Sequence, residues 1–407
     1  MDYRYYQPEQ DKPAAHRMLK EVGWTEEGKE EANDLIMEAG RGLVVDLRGE
    51  PECMVTTSPG AINYLEAELP FCAVTGVITS HIARKQGLAT RLTAHAIAED
   101  AAEGALVAGL GMFDQGFYNR LGFGTGSYEH LASFDPATLL IETQARVPHR
   151  ITVEDWEAVH ASRWHRRRYH GACSLKPPAL SQAEMKFSEG FGLGYYDDEG
   201  HLTHHFWGKT KGEHGPYGIW WVSYQTPEQF LELMALLKNL SDQVYLIRMK
   251  EPLDIRFQDM LSQPFKLRQM TEKAKFESRM RAWAYWQVRI LDLAGCLAQT
   301  HLPGEEVRFN LKLRDPITHY LADTDAPWQG ISGQYIVTLG PSSSAEPGAA
   351  QDLPTLSASV GAFTRLWLGI ASASSLVITD ELAGPPALLE KLDWLLRLPQ
   401  PSFEWDF

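Results

Sequence analysis

The chain has 407 residues, of which 44% are hydrophobic and 22% are charged, a composition typical of globular proteins. A single hydrophobic core rarely serves more than about 300 residues, so we expect two or three domains. The 38 basic residues against 53 acidic ones give a net charge of −15. That charge argues against nucleic acid as a partner and favours cationic or neutral small molecules.

The cysteines and the apolar runs bear on the cellular setting. The four cysteines lie far apart without a CxxC pair, so we expect neither a disulfide framework nor a zinc site. The polar start MDYRYYQPEQ is unlike a signal peptide. No apolar run approaches the roughly 20 residues that a membrane span needs. We therefore expect a cytoplasmic protein with no membrane partner and no metal.

Residues 1–148 are predicted to form an α/β unit. Two helices come first, DKPAAHRMLKEVGW and KEEANDLIMEAG, because their apolar residues recur at helical spacing. The strands GLVVDL, ECMVTT and PFCAVTGVITS follow, then the helix GLATRLTAHAIAEDAAEGA and the strands LVAGLGM and EHLASF. Strands that alternate with helices predict a sheet covered by helices.

Residues 149–283 repeat this strand–helix–strand order. The predicted strands are FGLGYYDDEGHLTHHFWGK, YGIWWVSYQ and QVYLIRM. The helix TPEQFLELMALLKNLSD lies between the last two, with Thr226 as its N-cap and Pro227 at its first position. No glycine with basic neighbours precedes that helix. We interpret this segment as a second, degenerate copy of the fold that has lost an anion site.

Residues 284–407 differ from the preceding segments in their sequence pattern. They are predicted to form a third, α+β unit that opens with YWQVRILDLAGCLAQ. The alternating segments EEVRFNLKLRD and GQYIVTLG predict strands, and residues 342–350 predict a mobile loop. SVGAFTRLWLGIASASSLV and PPALLEKLDWLLRL are each predicted as one helix, and the chain ends in PSFEWDF.

The junction between the strand PFCAVTGVITS and the following helix carries the hexapeptide RKQGLA, residues 84–89. A helix N-terminus exposes unpaired N–H groups and a partial positive charge. A glycine lets a phosphate approach the backbone, and Arg84 and Lys85 add charge. The junction therefore suits a pyrophosphate. A charged turn before an amphipathic helix is the alternative interpretation, and the pattern is neither GxGxxG nor a Walker motif.

About thirty residues later comes GFYNRLGFGTG, and the two motifs together resemble the GNAT superfamily of N-acetyltransferases. Tyr118 stands four residues before Gly122-Phe123, as in that family. Over its full length the chain is similar to the Eis-like (enhanced intracellular survival) branch. That resemblance implies tandem GNAT folds followed by a sterol-carrier-protein-like domain.

The resemblance implies three domains: a catalytic GNAT domain at 1–148, a degenerate GNAT-like domain at 149–283, and a sterol-carrier-protein-like domain at 284–407. It further implies acetyl-CoA as cosubstrate, a small amine as acceptor, an aminoglycoside or polyamine among the candidates, and a homo-oligomer, a hexamer in that branch. Backbone groups of Val77 and Thr79 would bind the pantetheine arm. The pyrophosphate cradle would consist of Arg84, Lys85, Gly87, Leu88 and Ala89.

Two catalytic roles also follow from the resemblance. Tyr118 would be the general acid that protonates the departing thiolate, since a phenol lies close to a thiol in proton affinity. The carboxylate of the last residue, Phe407, would be the general base, acting directly or through a water. Without the flanking motif, Tyr118 would be interpreted as a core aromatic residue, and PSFEWDF as a frayed end.

Other features favour simpler interpretations. The loop MFDQGFY has a phenylalanine and a glycine where small hydroxyl and proline residues are common in the family, so the acceptor pocket is expected to differ. The histidines of GHLTHHFWGKTKGEH are interpreted as a surface cluster rather than a metal site, and RWHRRRYH as a solvated helix face. An apolar-ligand carrier that uses the third domain and a non-catalytic CoA sensor remain as alternative functions.

Overall fold

The computed structural model describes residues 3–264, 275–322 and 324–407. The α-helices of these ranges are α1 (Pro8–Glu21), α2 (Glu30–Glu38), α3 (Leu88–Ala102), α4 (Trp156–His165), α5 (Pro178–Ser188), α6 (Pro227–Lys238), α7 (Leu293–Ala298), α8 (Thr318–Leu321), α9 (Val360–Trp367), α10 (Ala373–Thr379) and α11 (Pro386–Leu395).

The strands of the same ranges are β1 (Arg4–Tyr5), β2 (Arg41–Leu47), β3 (Glu50–Tyr64), β4 (Ala67–Thr79), β5 (Val107–Gly111), β6 (Gly124–Thr125), β7 (Glu129–Phe134), β8 (His149–Ile151), β9 (Cys173–Leu175), β10 (Phe191–Tyr196), β11 (Leu202–Thr210), β12 (Tyr217–Ser223), β13 (Ile247–Lys250), β14 (Arg279–Trp283), β15 (Trp286–Ile290), β16 (Val307–Arg314), β17 (Gly333–Leu339), β18 (Ser344–Pro347), β19 (Thr355–Ser359) and β20 (Leu382–Ala383). This mixed content confirms the α/β fold class.

The chain divides into two compact units that interleave in sequence. The first unit consists of Met1–Ser127, Tyr169–Pro177 and Ala284–Phe407. The second consists of Tyr128–Arg168 and Pro178–Trp283. The division into domains at 148 and 283 stays a prediction.

The first unit contains a large sheet with strand order β1-β2-β3-β4-β5-β15-β6, and β9 pairs with β3. The strands β4 and β5 run parallel, joined by the crossover helix α3. The sequence of α3 explains its place, because Leu88, Leu92 and Ile97 are buried in one apolar cluster with the strands beneath. Strand β15 comes from the C-terminal third of the chain and pairs antiparallel with β5.

A second sheet of the first unit has the order β18-β17-β16-β19-β20. Residues 344–347, predicted within a mobile loop, instead form the edge strand β18 paired with β17. The helix predicted over SVGAFTRLWLGIASASSLV is broken into α9 and α10. Gly369 lies between them with φ +68°, a left-handed conformation that ends a helix.

The second unit contains a sheet with the order β14-β7-β13-β12-β11-β10-β8. Here β12 and β13 run parallel, with α6 as the crossover, so the predicted strand–helix–strand repeat is present. Helix α6 begins at Pro227 with Thr226 as its N-cap, as predicted.

Two interpretations of polar segments in the second unit are only partly right. His201 and His214 are exposed, as predicted for the histidine cluster. His204 and His205 are buried, with 2% and 0% of their surfaces exposed, so they are not surface residues. His205 hydrogen-bonds to Ser162 and accepts from the Trp221 indole N–H. The helix α4 ends at His165, and Arg163 is buried in an ion pair with Glu184 instead of lying on a solvated face.

No helix in the described ranges is long and apolar enough to cross a membrane. The four cysteines are all buried, and none of them is in a disulfide in the described ranges.

Candidate active site

The central feature of the first unit is the divergence of β4 from β5. The two strands pair only from Phe71 with Val107 to Val74 with Leu110. One residue further, a bulge at Thr75 shifts the register of β4 on β3, where Thr56 pairs with Gly76 and Thr57 with Val74. Beyond the bulge β4 keeps its pairing with β3 only, so the edge that faces away from β3 is unpaired among the described strands.

Val77 and Thr79 lie on this unpaired stretch of β4. They pair with Val55 and Cys53 of β3, and both are half-buried. An unpaired strand edge presents free backbone N–H and C=O groups to an extended ligand. These are the two residues to which the resemblance to GNAT enzymes assigns the pantetheine arm, and that role stays a prediction.

The loop after β4 leads directly into α3 with an open helix N-terminus. The N-cap is Gly87, with φ +75°, and no side chain caps the helix. Lys85 also has a positive φ of 59°, so the loop holds two left-handed residues. Nothing lies within 4 Å of the position that a Cβ on Gly87 would take. The N–H groups of the first turn, including those of Leu88 and Ala89, are therefore accessible from outside the helix.

Positive charge surrounds this N-terminus. Arg84 and Lys85 are exposed, and so is Arg91 one turn into the helix. None of the three forms an ion pair with any residue that the structure describes. In a chain with a net charge of −15, three unpaired cations beside an uncapped helix give a local positive potential that would favour an anion.

Tyr118 opens the short 3₁₀ turn Tyr118–Leu121, in the segment that leaves β5. Its side chain is 3% exposed and packs edge-on against Phe117, with ring centroids 4.8 Å apart. Its hydroxyl has no hydrogen bond to any described residue. Burial raises the pKa of this phenol well above its usual value, so Tyr118 stays protonated at all pH values near neutrality.

Two side chains of β15 form hydrogen bonds to the turn that carries Tyr118. Arg289 is fully buried, donates to the carbonyl of Leu121 and forms an ion pair with Asp315 at 2.7 Å. Two residues earlier, Gln287 donates to Asn119 at 3.2 Å. Alternate residues of one strand therefore bond to Asn119 and Leu121 of the turn that carries Tyr118.

Phe407, the last residue of the sequence, lies beside Gly111 at the C-terminal end of β5. A Cβ on Gly111 would stand 3.1 Å from a terminal carboxyl oxygen of Phe407. The Phe407 ring packs against Phe71 of β4, with centroids 6.0 Å apart, and against Phe403 at 5.7 Å. The chain end is thus docked on the first sheet and is not frayed.

The structure places the predicted residues in two regions of the first unit. Val77, Thr79 and residues 84–89 are continuous along β4 and the start of α3. Phe407 lies at the end of β5 and Tyr118 in the segment that leaves it, six residues beyond Met112. Among the described contacts, neither a hydrogen bond nor a ring pair joins Tyr118 to Phe407.

Sequence reasoning missed the residues that receive the chain end: Phe71, Gly109, Gly111, Trp286 and Phe403. One signal was available in the strand VAGLG. Its two glycines are two residues apart and so lie on one face of β5, and glycine within a strand marks a close approach of another chain segment.

The described residues contain no group of three or more His, Cys, Asp or Glu side chains placed to hold a metal.

Comparison with known proteins supports the first unit's interpretation. A family model described as an acetyltransferase (GNAT) domain matches residues 2–126. That range contains β4, the open N-terminus of α3 and Tyr118. No curated protein matches the sequence.

Several solved structures share the fold of the whole chain. A probable N-acyltransferase of Enterococcus faecalis is 16% identical, with a TM-score of 0.80 over 100% of this chain and 99% of its own. A GCN5-related N-acetyltransferase of Anabaena variabilis is 14% identical, with a TM-score of 0.77 over 100% of both chains. Eis1 of Mycobacterium abscessus is 14% identical, with a TM-score of 0.76, again over 100% of both.

At these identities the structural likeness shows a common fold, whereas the family match concerns sequence. Residues 2–126 therefore form a GNAT acetyltransferase domain, and the chain is an acyltransferase.

Proposed function

We propose that this chain transfers an acetyl group from acetyl-CoA to a primary amine. Bound acetyl-CoA would supply the acetyl group as a thioester. The observation that carries the proposal is the uncapped N-terminus of α3, with Gly87 at its N-cap and the unpaired Arg84 and Lys85, directly after the free edge of β4. A diphosphate with an extended arm fits this combination of a helix N-terminus and a strand edge.

The residues of β4 and α3 would divide the binding between them. Arg84, Lys85 and the N–H groups from Gly87 to Ala89 would hold the pyrophosphate. Backbone groups of Val77 and Thr79 would hydrogen-bond to the pantetheine arm. The arm would then point along the gap between β4 and β5, toward the end of β5 where the Phe407 carboxyl group lies.

Two groups would move the protons. Phe407 would take a proton from the amine as the nitrogen–carbon bond forms, and Tyr118 would donate one to the sulfur as the carbon–sulfur bond breaks. Burial raises the pKa of Tyr118, so the phenol is protonated before the reaction begins. A carboxylate is a weak base toward a free ammonium, so Phe407 would act during attack or through a water.

The acceptor is proposed to be a cationic small molecule. The net charge of −15 favours such a partner, and the fold shared with Eis1 is compatible with an aminoglycoside or another polyamine. An Eis-like subfamily, a sterol-carrier-like role for residues 284–407, a hexamer and a cytoplasmic location belong to the same proposal.

The test is thiol release from acetyl-CoA across aminoglycosides, polyamines, arylamines and lysine peptides. With an accepted amine, Tyr118→Phe should lower kcat by about 10²- to 10⁴-fold, because one proton transfer is lost, while the KM for acetyl-CoA changes little. Tyr128→Phe is the matched control, since Tyr128 is 69% exposed. Absence of acetyl-CoA binding to the wild-type protein would refute the proposed cosubstrate. Unchanged turnover in Tyr118→Phe would refute the assigned acid.

A further inference from the structure

The last seven residues, Pro401–Phe407, are held far more firmly than a chain end usually is. The carbonyl of Pro401 accepts from the Ser127 hydroxyl, and the carbonyl of Phe403 accepts from the N–H of Cys173 at 3.0 Å. Phe403 and Trp405 are each 1% exposed. Chain ends normally fray unless such contacts hold them.

Phe403 is the anchor of this segment. Its ring stacks on Trp286 of β15, with centroids 4.3 Å apart, and meets Phe71 of β4 edge-on at 5.5 Å. Gly109 makes room for it, because a Cβ at that position would stand 2.4 Å from the Phe403 ring. Phe403 is thereby fixed to three neighbouring strands of the first sheet.

The chain then turns back on itself. Glu404 has φ +55°, in the left-handed region that non-glycine residues rarely adopt. Three residues later the Phe407 ring returns to the same aromatic group, against Phe403 and Phe71. Gly111, two residues beyond Gly109 on the same face of β5, leaves room for the carboxyl group.

We propose that Phe403 is a positioning residue and that the four residues after it set, by their number, where the terminal carboxylate lies. This inference rests on the proposed function of Phe407. One residue more or less displaces a chain end by up to about 3.5 Å. Catalytic groups tolerate misplacement of only about 0.5 Å. The length of the chain after Phe403 is therefore a requirement of the reaction, separate from the presence of a carboxylate.

The first experiment appends a single arginine after Phe407. This protein keeps every docked side chain and still ends in a carboxylate, but that carboxylate is one residue out of place. We expect kcat to fall at least 100-fold and the KM for acetyl-CoA to change less than threefold. A carboxypeptidase specific for C-terminal basic residues should remove the arginine and restore kcat. Full activity before that treatment would overturn the length requirement.

The second experiment tests the anchor with the native chain end in place. Phe403→Ala should lower kcat at least tenfold with little change in the KM for acetyl-CoA, and Phe403→Leu, which keeps an apolar side chain without adding an atom beyond the ring position that faces Gly109, should recover part of it. Gly109→Ala should reproduce the loss by displacing the ring. Trp394→Ala is the matched control, because Trp394 is an aromatic residue of the same third of the chain that is 69% exposed. Normal kcat in a folded Phe403→Ala or Gly109→Ala protein would overturn the role of Phe403.

A third measurement separates this inference from the proposed function. A carboxypeptidase that releases aromatic residues should remove Phe407 slowly from the wild-type protein and faster from Phe403→Ala, whether or not any amine is acetylated. Equal release rates would refute the anchor and leave the acetyltransferase intact. Slow wild-type release without turnover on any amine would refute the proposed function and leave the anchor intact.

Discussion

The two strand–helix–strand crossovers of this chain differ at the start of the helix. In the first unit, α3 begins at Gly87 with no side-chain cap. In the second, α6 begins with a complete capping box. Thr226 accepts from the N–H of Gln229, and the Gln229 side chain accepts from the N–H of Thr226. Pro227 has no N–H at all, and Glu228 adds negative charge in the first turn.

This difference shows two ways of satisfying the same orphan groups. Every helix N-terminus has N–H groups without intrahelical partners, and water, a side chain or a ligand must satisfy them. Helix α6 satisfies them internally and repels an anion with its acidic first turn. Helix α3 leaves them open and surrounds them with unpaired cations. The second unit thus keeps the crossover and lacks the features that would bind a phosphate.

The largest expected effect concerns acid, and it involves one buried histidine in each unit. Burial lowers the pKa of His170 in the first unit to about 4 and that of His205 in the second to about 3. Both contribute stability above the unfolded-state pKa of about 6.5, which is lost as pH falls through the folded values. Below pH 6.5, each of the two histidines should lower the free energy of unfolding by about 1.4 kcal/mol per pH unit. The loss from His170 ends near pH 4, and that from His205 continues to pH 3.

Urea unfolding at a series of pH values checks this. The neutral variants His170→Gln and His205→Gln should each flatten the pH dependence in their own window. His165→Gln is the control, because His165 is exposed and its removal leaves both buried histidines in place. A pH dependence that none of the variants changes would contradict the assignment to these two histidines.

Reversal of charge at α3 should produce the next largest effect. Arg84→Glu combined with Lys85→Glu should weaken acetyl-CoA binding about 100-fold, since each charged hydrogen bond is worth about 1.5–3 kcal/mol and some is retained by the N–H groups. Calorimetry measures the dissociation constant. Lys85→Glu is compared with Lys211→Glu, an exposed lysine of the second unit. Equal weakening by the two single variants would mean that net charge alone is responsible.

Gly87→Ala should have a smaller effect, about tenfold on the dissociation constant for acetyl-CoA. The new methyl group meets no protein atom within 4 Å, so it does not clash with the protein. The positive φ of this position costs about 1 kcal/mol of backbone strain in alanine, and the methyl group would block the approach of a phosphate. Gly104→Ala is a matched control, because Gly104 also has a positive φ and open space around it. It should lose similar stability with unchanged binding, and reduced binding there would show that strain alone explains the result.

The smallest effect is expected at the cap of α6. Thr226→Ala removes the capping box and should lower the free energy of unfolding by about 1 kcal/mol. Acetyl-CoA binding should not change, because α6 does not belong to the proposed binding site. Denaturant unfolding and calorimetry on the same variant measure both. A weakened affinity for acetyl-CoA would break the comparison, since it would give the second unit a part in binding.

Local patterns predicted the local elements well. The helix α6 with its Thr226 cap, the strand EHLASF as β7 and the basic junction before α3 all follow from spacing and from residue types with one dominant conformational preference. The predicted junction also proved to be uncapped and exposed, a property that depends on which side chains are absent.

Long-range pairing and burial were not predictable in the same way. Strand β11 is buried along almost its whole length, so His204 and His205 are both inside although they are neighbours in sequence. Alternation of apolar and polar residues indicates a strand with one solvent-exposed face. It gives no information when both faces of the strand are buried. The pairing of β15 with β5, and the docking of Phe403 on Gly109, join residues about 180 and 290 positions apart, and no local pattern encodes their partner.

The position of β15 has a consequence for how the protein is made. Residues 286–290 lie between β5 and β6 in the first sheet, so that sheet stays incomplete until more than two thirds of the chain has left the ribosome. A fragment that ends near residue 148 would expose the edge of β5, and unpaired edges of this kind promote aggregation. Contacts so distant in sequence also slow folding. Early synthesis of the matched domain therefore does not give an early folded domain, and the N-terminal part depends on the rest of the chain to become stable.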